Sequence, residues 1–506
     1  MIINETIKKK KTNTILNEEN YSVYKRRADQ DLFLYACSLT PRNSFYHSEV
    51  ERLNYLVDLI QKNDSKFIEA LTYYLGKILG IRLSPAIIIA ELALRDDVNW
   101  KAIEKIVRDV FTRPDFIANT LGYIKYKFQT KSFLDRTPYE FSKILKSQLE
   151  SFNELTLKRR KMKRKAIKLA DLIKTLRPRP KDEKMSRLYK AIIENDNYAS
   201  LKTEIIAENK KIKSSEHITA AISSSEVSYA EKKKFVQDNI EKIPINALIK
   251  NLSFLETKDI GILEKRLVDI FESGNGLRFI NPFDLIMLNN IDFQRYSNGV
   301  EDRVDSDIIH VLDKILSKYV HINVYAQNPL ILYDCSGSMD GNPHRIGIKF
   351  ISAFQKIFRK DFRFYKFDYD VENITNDVKR IFIDSSGANE FARKLMRSMH
   401  CDNGTALLES MKKVLQDYPE ADLFIIVTDE VTWADPDNIN LYKRILPDKL
   451  LGKTILFNAS PETGSVFKPS VDITRLAGLS GRILSIIKAI ADFDTFKIEI
   501  INEFQQ

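Results

Sequence analysis

Two patterns of apolar residues divide the chain. From about Ser48 to Asn290, apolar side chains recur at i, i+3 and i+4 spacing through successive segments, each long enough for a helix. From about Asn328 onward, short apolar or β-branched runs alternate with amphipathic stretches. The first pattern predicts one helix after another, whereas the second predicts strands that alternate with helices.

The helical part contains several amphipathic segments of similar length, among them SEVERLNYLVDLIQKND, SKFIEALTYYLGKILG, SPAIIIAELALRD, NWKAIEKIVRDVF and PDFIANTLGYIKYKF. Residues typical of N-caps or of first helical turns stand at the helix starts: Ser48, Ser65, Ser84, Asn99, Pro114 and Pro138. Because the links between these helices are short, the pattern predicts an α-solenoid that is stacked from helical pairs.

The second part of the chain has the pattern of a doubly wound sheet. Its predicted buried strands are PLILYD, DFRFYKF, ADLFIIVTD and KTILFNAS, and its predicted helices are PHRIGIKFISAFQKIFR, ANEFARKLMRSM and TALLESMKKVLQDY. Alternation of this kind is typical of βαβ units in a parallel sheet. We place the change of pattern between about Tyr319 and Gln327, which predicts a helical domain at residues 1–324 and an α/β domain at residues 325–506.

The composition is that of a globular protein with room for two or more domains. Of the 506 residues, 44% are apolar and 29% are charged, and glycine and proline are both scarce. The three cysteines, Cys37, Cys335 and Cys401, form no CxxC pair, which favours a reducing compartment over a disulfide framework or a zinc cluster. The N-terminus lacks an apolar signal segment, and no apolar run is long enough to cross a membrane. We therefore expect a cytoplasmic protein that does not enter a membrane.

The stretch ILYDCSGSMDG, residues 331–341, leads from an apolar run directly into carboxylates, hydroxyls and glycines. It lacks the lysine and the spacing of a phosphate-binding P-loop. It also lacks the leading glycine of a nucleophile elbow, and no base for Cys335 can be identified from the sequence. We therefore expect Cys335 to be structural rather than nucleophilic.

A metal site fits this stretch better. Asp334 ends a predicted buried strand, so its carboxylate is expected at the carboxyl edge of the sheet, where doubly wound folds bind ligands. Ser336 and Ser338 follow at alternate positions, and both hydroxyls can point towards the same place. Hard oxygen donors of this kind suit Mg²⁺ or Mn²⁺.

The DxSxS arrangement of these three residues resembles the metal-ion-dependent adhesion site (MIDAS) of the von Willebrand factor A domain. That family completes the site with a threonine from a later loop and an aspartate after a further strand. Thr405 in CDNGTALLES and Asp429 in LFIIVTDE match them in the same order. The resemblance implies an A domain that binds Mg²⁺, or another divalent cation, through Asp334, Ser336, Ser338, Thr405 and Asp429.

A second candidate site is the basic segment KRRKMKRKAIK at residues 158–168, in which eight of eleven residues are basic. The whole chain carries a net charge of +10, which raises the expectation of an acidic polymer as partner. On a helix, Arg160, Arg164 and Lys168 would share one face. Such a cluster suits contacts to phosphates, which are strong but tolerant of sequence. A solvated helix face is the alternative interpretation.

Several segments around this cluster resemble the TROVE module of the Ro autoantigen family. DLFLYACSLTPRNSFYHSE resembles the opening of the module, and KLADLIKTLRPRPKDEKMSRLYKAII resembles its basic helix and the turn that follows. IPINALIKNLSFLE and NPFDLIMLN resemble its later helices. The matches spread over about residues 22–290, and the A domain follows where the family has it. The sequence is therefore similar to the Ro family, as a divergent bacterial or phage member.

The resemblance implies a ring of HEAT-like helical repeats closed by the A domain. It also implies binding of small noncoding, Y-like RNAs on the outer basic surface, and of single-stranded 3′ ends of misfolded RNAs in the hole. Family positions that contact RNA correspond to Arg160, Arg164 and Arg177, although the family usually has histidine at the third. An arginine there adds fixed charge, which favours phosphate over base contact. Arg179 and Lys181 in the following turn are expected neighbours.

The leading hypothesis is therefore an RNA-binding ribonucleoprotein component without catalytic activity, which acts as a monomeric scaffold in RNA quality control or processing. A 3′-exonuclease is the protein partner that the resemblance implies. The alternative hypothesis is a metal-dependent protein-binding platform, in which the A-domain metal takes a partner's carboxylate. A phosphodiesterase is a weak third interpretation, because one metal site built partly of hydroxyls lacks a second metal or a base.

Overall fold

The structure is a computed structural model that describes residues 14–16, 22–24, 27–38, 49–130, 134, 136–153, 156–157, 167–194, 228–273, 276, 280–287, 304, 306–319, 326–354, 361–402, 404–430, 445–460, 473–477 and 479–505. Ser48, Arg160 and Arg164 lie outside the described residues. Contacts between Cα atoms divide the chain into two compact units. The helical unit comprises residues 28–227, 242–244 and 497–506, and the sheet unit comprises residues 1–27, 228–241 and 245–496.

In its described part, the helical unit is built from α1 (Ala28–Ser38), α2 (Glu49–Gln61), α3 (Ser65–Tyr73), α4 (Leu83–Ala93), α5 (Trp100–Val110), α6 (Pro114–Phe128), α7 (Tyr139–Ser151), α8 (Leu169–Leu176) and α9 (Glu183–Glu194). Neighbouring helices pack together, as α1 does with α2 and α3 with α4. Helices two positions apart also pack, since α3 contacts α5, α4 contacts α6 and α5 contacts α7. This is the stacking of a helical-repeat array, so the predicted α-solenoid is confirmed.

The predicted N-cap at Asn99 and the predicted helix start at Pro114 are correct, whereas the predicted N-caps at Ser65 and Ser84 are wrong. The Asn99 side chain accepts a backbone N–H from the first turn of α5 at 3.3 Å, and Pro114 is the first residue of α6. The cap of α3 is Asp64, whose carboxylate accepts a backbone N–H at 2.9 Å. Ser84 lies inside α4, where its hydroxyl donates to a backbone carbonyl of α1 at 2.7 Å. A serine near a helix start can thus serve a tertiary contact instead of the cap.

The sheet unit begins with an antiparallel pair, β1 (Thr14–Leu16) and β2 (Ser22–Tyr24). It continues with the helices α10 (Tyr229–Asp238), α11 (Ile245–Ile249), α12 (Ile260–Glu272) and α13 (Ser306–Tyr319). Because α12 packs against α13, the pairing of successive helices continues in this unit.

The central feature of the sheet unit is a mixed sheet of β3 (Pro329–Asp334), β4 (Arg363–Phe367), β5 (Val371–Asn373), β6 (Leu423–Thr428), β7 (Thr454–Asn458) and β8 (Ile473–Ala477). The strands lie in the order β5-β4-β3-β6-β7-β8, and all adjacent pairs are parallel except β4 with β5. Every residue of β3, β6 and β7 is buried, as expected for strands covered on both faces. The remaining helices are α14 (Asn342–Ser352), α15 (Thr375–Ile383), α16 (Ala388–Ser398), α17 (Leu407–Asp417), α18 (Arg482–Ala491) and α19 (Phe493–Gln505), of which α19 belongs to the helical unit from residue 497 onward.

The sequence pattern predicts β3, β4, β6 and β7 correctly but misses β5 and β8. The three residues between β4 and β5 are too few for a crossover, so β5 returns antiparallel at the sheet edge and the sheet is mixed rather than purely parallel. The predicted class, a helical-repeat array with a doubly wound α/β domain, is confirmed. The boundary at residues 324 and 325 and the closure of the array into a ring stay predictions. Among the described residues, no helix is long and apolar enough to cross a bilayer.

Candidate functional site

The candidate metal centre begins at Asp334, the last residue of the central strand β3. Strand β3 lies between β4 and β6, and the parallel register sets Asp334 opposite Phe367 of β4. The Asp334 side chain is 0% exposed. The strand order therefore delivers a fully buried carboxylate to the carboxyl edge of the sheet, as the apolar run before it predicts.

Both carboxylate oxygens of Asp334 accept hydrogen bonds. The backbone N–H of Ser336 donates to Oδ1 at 2.9 Å, and the hydroxyl of Thr428 donates to Oδ2 at 2.6 Å. The hydroxyl oxygens of Ser336 and Ser338 lie 3.1 Å apart, so the structure brings together the three residues of the DxSxS motif. Thr428 is not among the predicted site residues, although a polar residue at the last position of an apolar strand is a readable signal.

Thr405 lies in the loop between α16 and α17, two residues before α17 begins rather than at the helix start. The backbone N–H of Asp402 donates to the carbonyl of Cys335 at 2.8 Å, and that of Ala406 donates to the carbonyl of Asp368 at 3.0 Å. These two bonds fasten the loop to the chain just beyond β3 and β4. Thr405 between them is 1% exposed, so its hydroxyl is held in the protein interior near this edge of the sheet.

Asp429 follows β6 and is buried. The adjacent Glu430 instead forms an ion pair and hydrogen bonds away from Asp334. Glu430 has a positive φ of 60° and donates its backbone N–H to the Thr428 hydroxyl at 3.0 Å. Its carboxylate pairs with Arg475 of β8 and accepts from the amide of Asn458 at 3.0 Å. The second acidic residue in the sequence LFIIVTDE is therefore neutralised, and Asp429 is the one that acts on Asp334 electrostatically.

Burial, with a smaller contribution from the nearby charge of Asp429, raises the pKa of Asp334 to about 7. Hydrogen bonds from Thr428 and Ser336 act in the opposite direction but do not offset the burial. A divalent cation would remove this electrostatic cost. The donors are all hard oxygen atoms, so the residues fit Mg²⁺. No cluster of three or more His, Cys, Asp or Glu side chains suits a metal in the described ranges, so hydroxyls would have to complete the shell.

A second cluster, which the sequence does not indicate, lies beside the metal motif. The thiols of Cys335 and Cys401 hydrogen-bond to each other, which together with nearby His344 lowers the pKa of Cys401. Hydrogen bonding to Cys401 and burial raise the pKa of Cys335 instead. Nδ1 of His344 lies 3.0 Å from the hydroxyl of Tyr333, and its buried Nε2 finds no hydrogen-bond partner among the described residues. Only the tertiary structure brings these side chains together.

The described part of the candidate RNA interface is the turn between α8 and α9. Arg177 ends α8 in the left-handed conformation, with a φ of 48°. The backbone N–H of Arg179 donates to the Glu150 carboxylate at 2.6 Å, and the Lys181 ammonium donates to the carbonyl of Ser151 at 3.4 Å. Because Glu150 and Ser151 end α7, the turn is fastened to that helix.

The side chains of this turn are available to solvent. Lys168 at the start of α8 is exposed, as are Arg177, Arg179 and Lys181 beyond its end. The backbone N–H of Lys168 donates to the Asp171 carboxylate at 2.9 Å, which places a negative charge at the start of the helix. Arg160 and Arg164 lie outside the described residues, so their predicted place on a shared face with Lys168 stays a prediction.

These observations define the class of protein: a helical-repeat array combined with an α/β domain of the von Willebrand factor A type. A solved structure with this architecture is the crystal structure of the Ro (RSR) protein of Deinococcus radiodurans, to which the chain is similar with a TM-score of 0.57 and 13% sequence identity. The match covers 92% of this chain and 99% of that chain. No protein-family profile and no curated protein sequence matches the chain. The predicted resemblance to the Ro family is thus confirmed in the fold.

Proposed function

We propose that the protein is a Ro-type RNA-binding scaffold without catalytic activity of its own, acting as a cytoplasmic monomer. It binds small structured noncoding RNAs of the Y-like kind and the single-stranded 3′ ends of misfolded RNAs, and so serves RNA quality control or processing. The observation that carries the proposal is the similarity in fold to the Ro protein over 92% of this chain, in both its helical array and its α/β domain.

The basic turn supplies the chemistry for this proposal. Arg177 and Arg179 present exposed guanidinium groups within two positions of each other, on a backbone that the Glu150 carboxylate holds in place. A guanidinium group binds phosphate oxygens with paired N–H donors, and a fixed backbone lowers the entropy lost on binding. The net charge of +10 favours the encounter with a polyanion.

The test is RNA binding by the double variant Arg177→Glu, Arg179→Glu, measured by fluorescence anisotropy on a stem-loop RNA with a single-stranded 3′ overhang. Affinity should fall by about tenfold or more, and the slope of log affinity against log salt should shrink by about two, one for each lost phosphate contact. The matched control is Arg380→Glu, Arg397→Glu on α15 and α16, which changes the net charge equally. Unchanged binding by the first variant, or equal losses in both, would refute this interface.

The second candidate function is capture of a protein partner through the α/β domain. The observation that favours it is the buried Asp334 carboxylate beside the paired hydroxyls of Ser336 and Ser338. We propose that Asp334, Ser336, Ser338, Thr405 and Asp429 hold Mg²⁺. A bound ion would offer a coordination position to a carboxylate of the partner, for which a 3′-exonuclease is the class we propose.

Capture of a purified exonuclease from the same cell, with and without EDTA, tests this second function. Binding should require Mg²⁺ and should be lost in Asp334→Ala, whereas Asp402→Ala in the neighbouring loop should retain most of it. Capture that persists in EDTA would exclude a metal-mediated contact. RNA binding should be the same in Asp334→Ala as in the parent protein, because the two proposed sites use different residues.

A further inference from the structure

Two of the three cysteines meet at the edge of the sheet. Cys335 lies between the proposed metal ligands Asp334 and Ser336, and Cys401 lies in the loop that carries Thr405. Both are free thiols, and they hydrogen-bond to each other. The third cysteine, Cys37, belongs to α1 in the helical unit.

Backbone hydrogen bonds set the spacing of this pair. Cys335 donates its N–H to the carbonyl of Phe367 at 2.7 Å, and its own carbonyl accepts the N–H of Asp402 at 2.8 Å. Asp402 directly follows Cys401, so this bond holds the backbone of Cys401 close to that of Cys335. A disulfide needs Cα atoms within about 7 Å of each other, and a direct backbone bond from Cys335 to the residue after Cys401 is compatible with that range.

The two thiols differ in access. Cys335 is 3% exposed, whereas Cys401 is only partly buried. A small oxidant in solution therefore reaches Cys401 first, and Cys335 lies behind it as the thiol that can close the bond. Cys37 is also buried but belongs to the other compact unit, so it serves as an internal reference.

We propose that Cys335 and Cys401 form an oxidation site, at which a peroxide converts the two thiols into a disulfide. The Cys401 sulfur attacks one peroxide oxygen, the O–O bond breaks, and water leaves with the transferred proton, so that Cys401 becomes a sulfenic acid. The Cys335 sulfur then attacks the Cys401 sulfur, the S–O bond breaks, and a second water leaves. Two thiols and one peroxide thus yield one disulfide and two waters.

The bond would change the metal site. It ties the backbone between Asp334 and Ser336 to the loop that carries Thr405, two segments that supply different proposed donors. A disulfide fixes the distance between its Cα atoms and restricts small adjustments of the donors around an ion. This consequence depends on the proposed metal site, whereas formation of the disulfide does not.

The experiment treats the reduced full-length protein with an equimolar amount of hydrogen peroxide and maps its peptides without reduction. The expected result is one linked peptide pair containing Cys335 and Cys401, with the loss of two hydrogen atoms, which dithiothreitol restores. The Cys37→Ser variant should form the same link, and Cys401→Ser should form none. Cys401 carrying a sulfinic or sulfonic acid while Cys335 stays a free thiol, or Cys37 oxidised as readily as Cys401, would overturn the proposal.

Thermal stabilisation by MgCl₂ in the reduced and oxidised forms tests the consequence separately. Stabilisation of the reduced form that shrinks in the disulfide form supports coupling between the two sites. Equal stabilisation of both forms refutes the coupling between the two sites. Whether the disulfide forms is then decided by the peptide map alone. No stabilisation of the reduced form refutes the proposed metal site itself, so the failures can be told apart.

Discussion

Asn389 at the start of α16 binds the buried carboxylate of Asp313 on α13 with both its backbone N–H, at 2.9 Å, and its side-chain amide, at 2.8 Å. The same side chain accepts the backbone N–H of Met287 at 2.6 Å and donates to the carbonyl of Leu285 at 3.2 Å. One asparagine therefore joins a helix of the α/β domain to a helix and a turn that precede the sheet in the sequence. Asn389 is 0% exposed, so these groups have no water to replace the bonds.

Replacing Asn389 by alanine should destabilise the sheet unit strongly. The change removes the side-chain hydrogen bond to the buried Asp313 carboxylate and leaves the Met287 N–H without its partner, at a cost of about 2–4 kcal/mol, although the backbone N–H of residue 389 still binds Asp313. Urea unfolding monitored by circular dichroism measures the loss. The control is Asn239→Ala, whose side chain makes a local bond to Phe235 in a partly buried position and should cost less than about 1 kcal/mol. Equal effects of the two variants would contradict the role assigned to Asn389.

The stability of the metal-free protein should fall as pH rises towards 8. Burial raises the pKa of Asp334 in the folded state to about 7, above its ordinary value of 3.8, so folding favours the protonated carboxyl group. This contribution is complete below about pH 4 and is lost as pH rises through 7, when a buried charge must form at a cost on the order of 4 kcal/mol. Unfolding of the EDTA-treated protein from pH 5 to 8.5 measures the slope.

The Asp334→Asn variant isolates that residue from other titrating groups. Its amide is neutral at every pH, so the variant should gain stability relative to the parent protein as pH rises from 5 to 8. At pH 8, Mg²⁺ should make the parent protein more stable than the variant, because it stabilises only the parent. The affinity of the parent protein for Mg²⁺ should weaken below pH 7, where protons compete for the carboxylate. A parallel pH dependence of parent and variant would show that Asp334 does not titrate in this range.

Replacing Thr428 by valine should raise the pKa of Asp334 above 7. The hydroxyl of Thr428 donates to Oδ2 of Asp334 at 2.6 Å and so favours the ionised form, while valine keeps nearly the same shape without the donor. In the same urea experiment, the fall in stability should begin at the same low pH but continue to a higher one. Thr454→Val in β7 is the control, because its buried hydroxyl donates to a backbone carbonyl instead. A pH profile identical to that of the parent would contradict this assignment.

Glycine is required at position 347 but not at position 261. A Cβ atom on Gly347 in α14 would lie 2.5 Å from the hydroxyl of Tyr333 and 3.0 Å from a methyl group of Val427, both buried in the sheet. Gly347→Ala should therefore destabilise by about 1–3 kcal/mol. Gly261 in α12 has no atom within 4 Å of the same position, so Gly261→Ala should be neutral or stabilise by up to about 1 kcal/mol. Thermal unfolding compares the two variants, and the opposite order would be contrary to the close packing of α14 on β3.

Elements with a local signal can be predicted from the amino-acid sequence alone. The fully apolar runs of β3, β6 and β7 and the period of the helices appear in the chain because backbone hydrogen bonding and burial repeat over a few residues. The strand before Asp334 also predicted its carboxylate at the carboxyl edge of the sheet, whereas Thr405 and Asp429 were assigned to the same site by the resemblance to the adhesion site. The short edge strand β5 was missed because three residues carry too little periodicity.

Contacts between side chains that are distant in the sequence depend on the tertiary fold. The sequence spacing of Cys335 and Cys401 does not show that the two residues lie close together. The sequence around Asn389 likewise does not show that this residue hydrogen-bonds to Asp313. The Thr428 hydroxyl acquires its effect on Asp334 only when β6 lies beside β3. Periodicity reflects the secondary structure and the buried face of a single segment. These contacts depend instead on the paths of loops and on the packing of distant segments, which no local pattern contains.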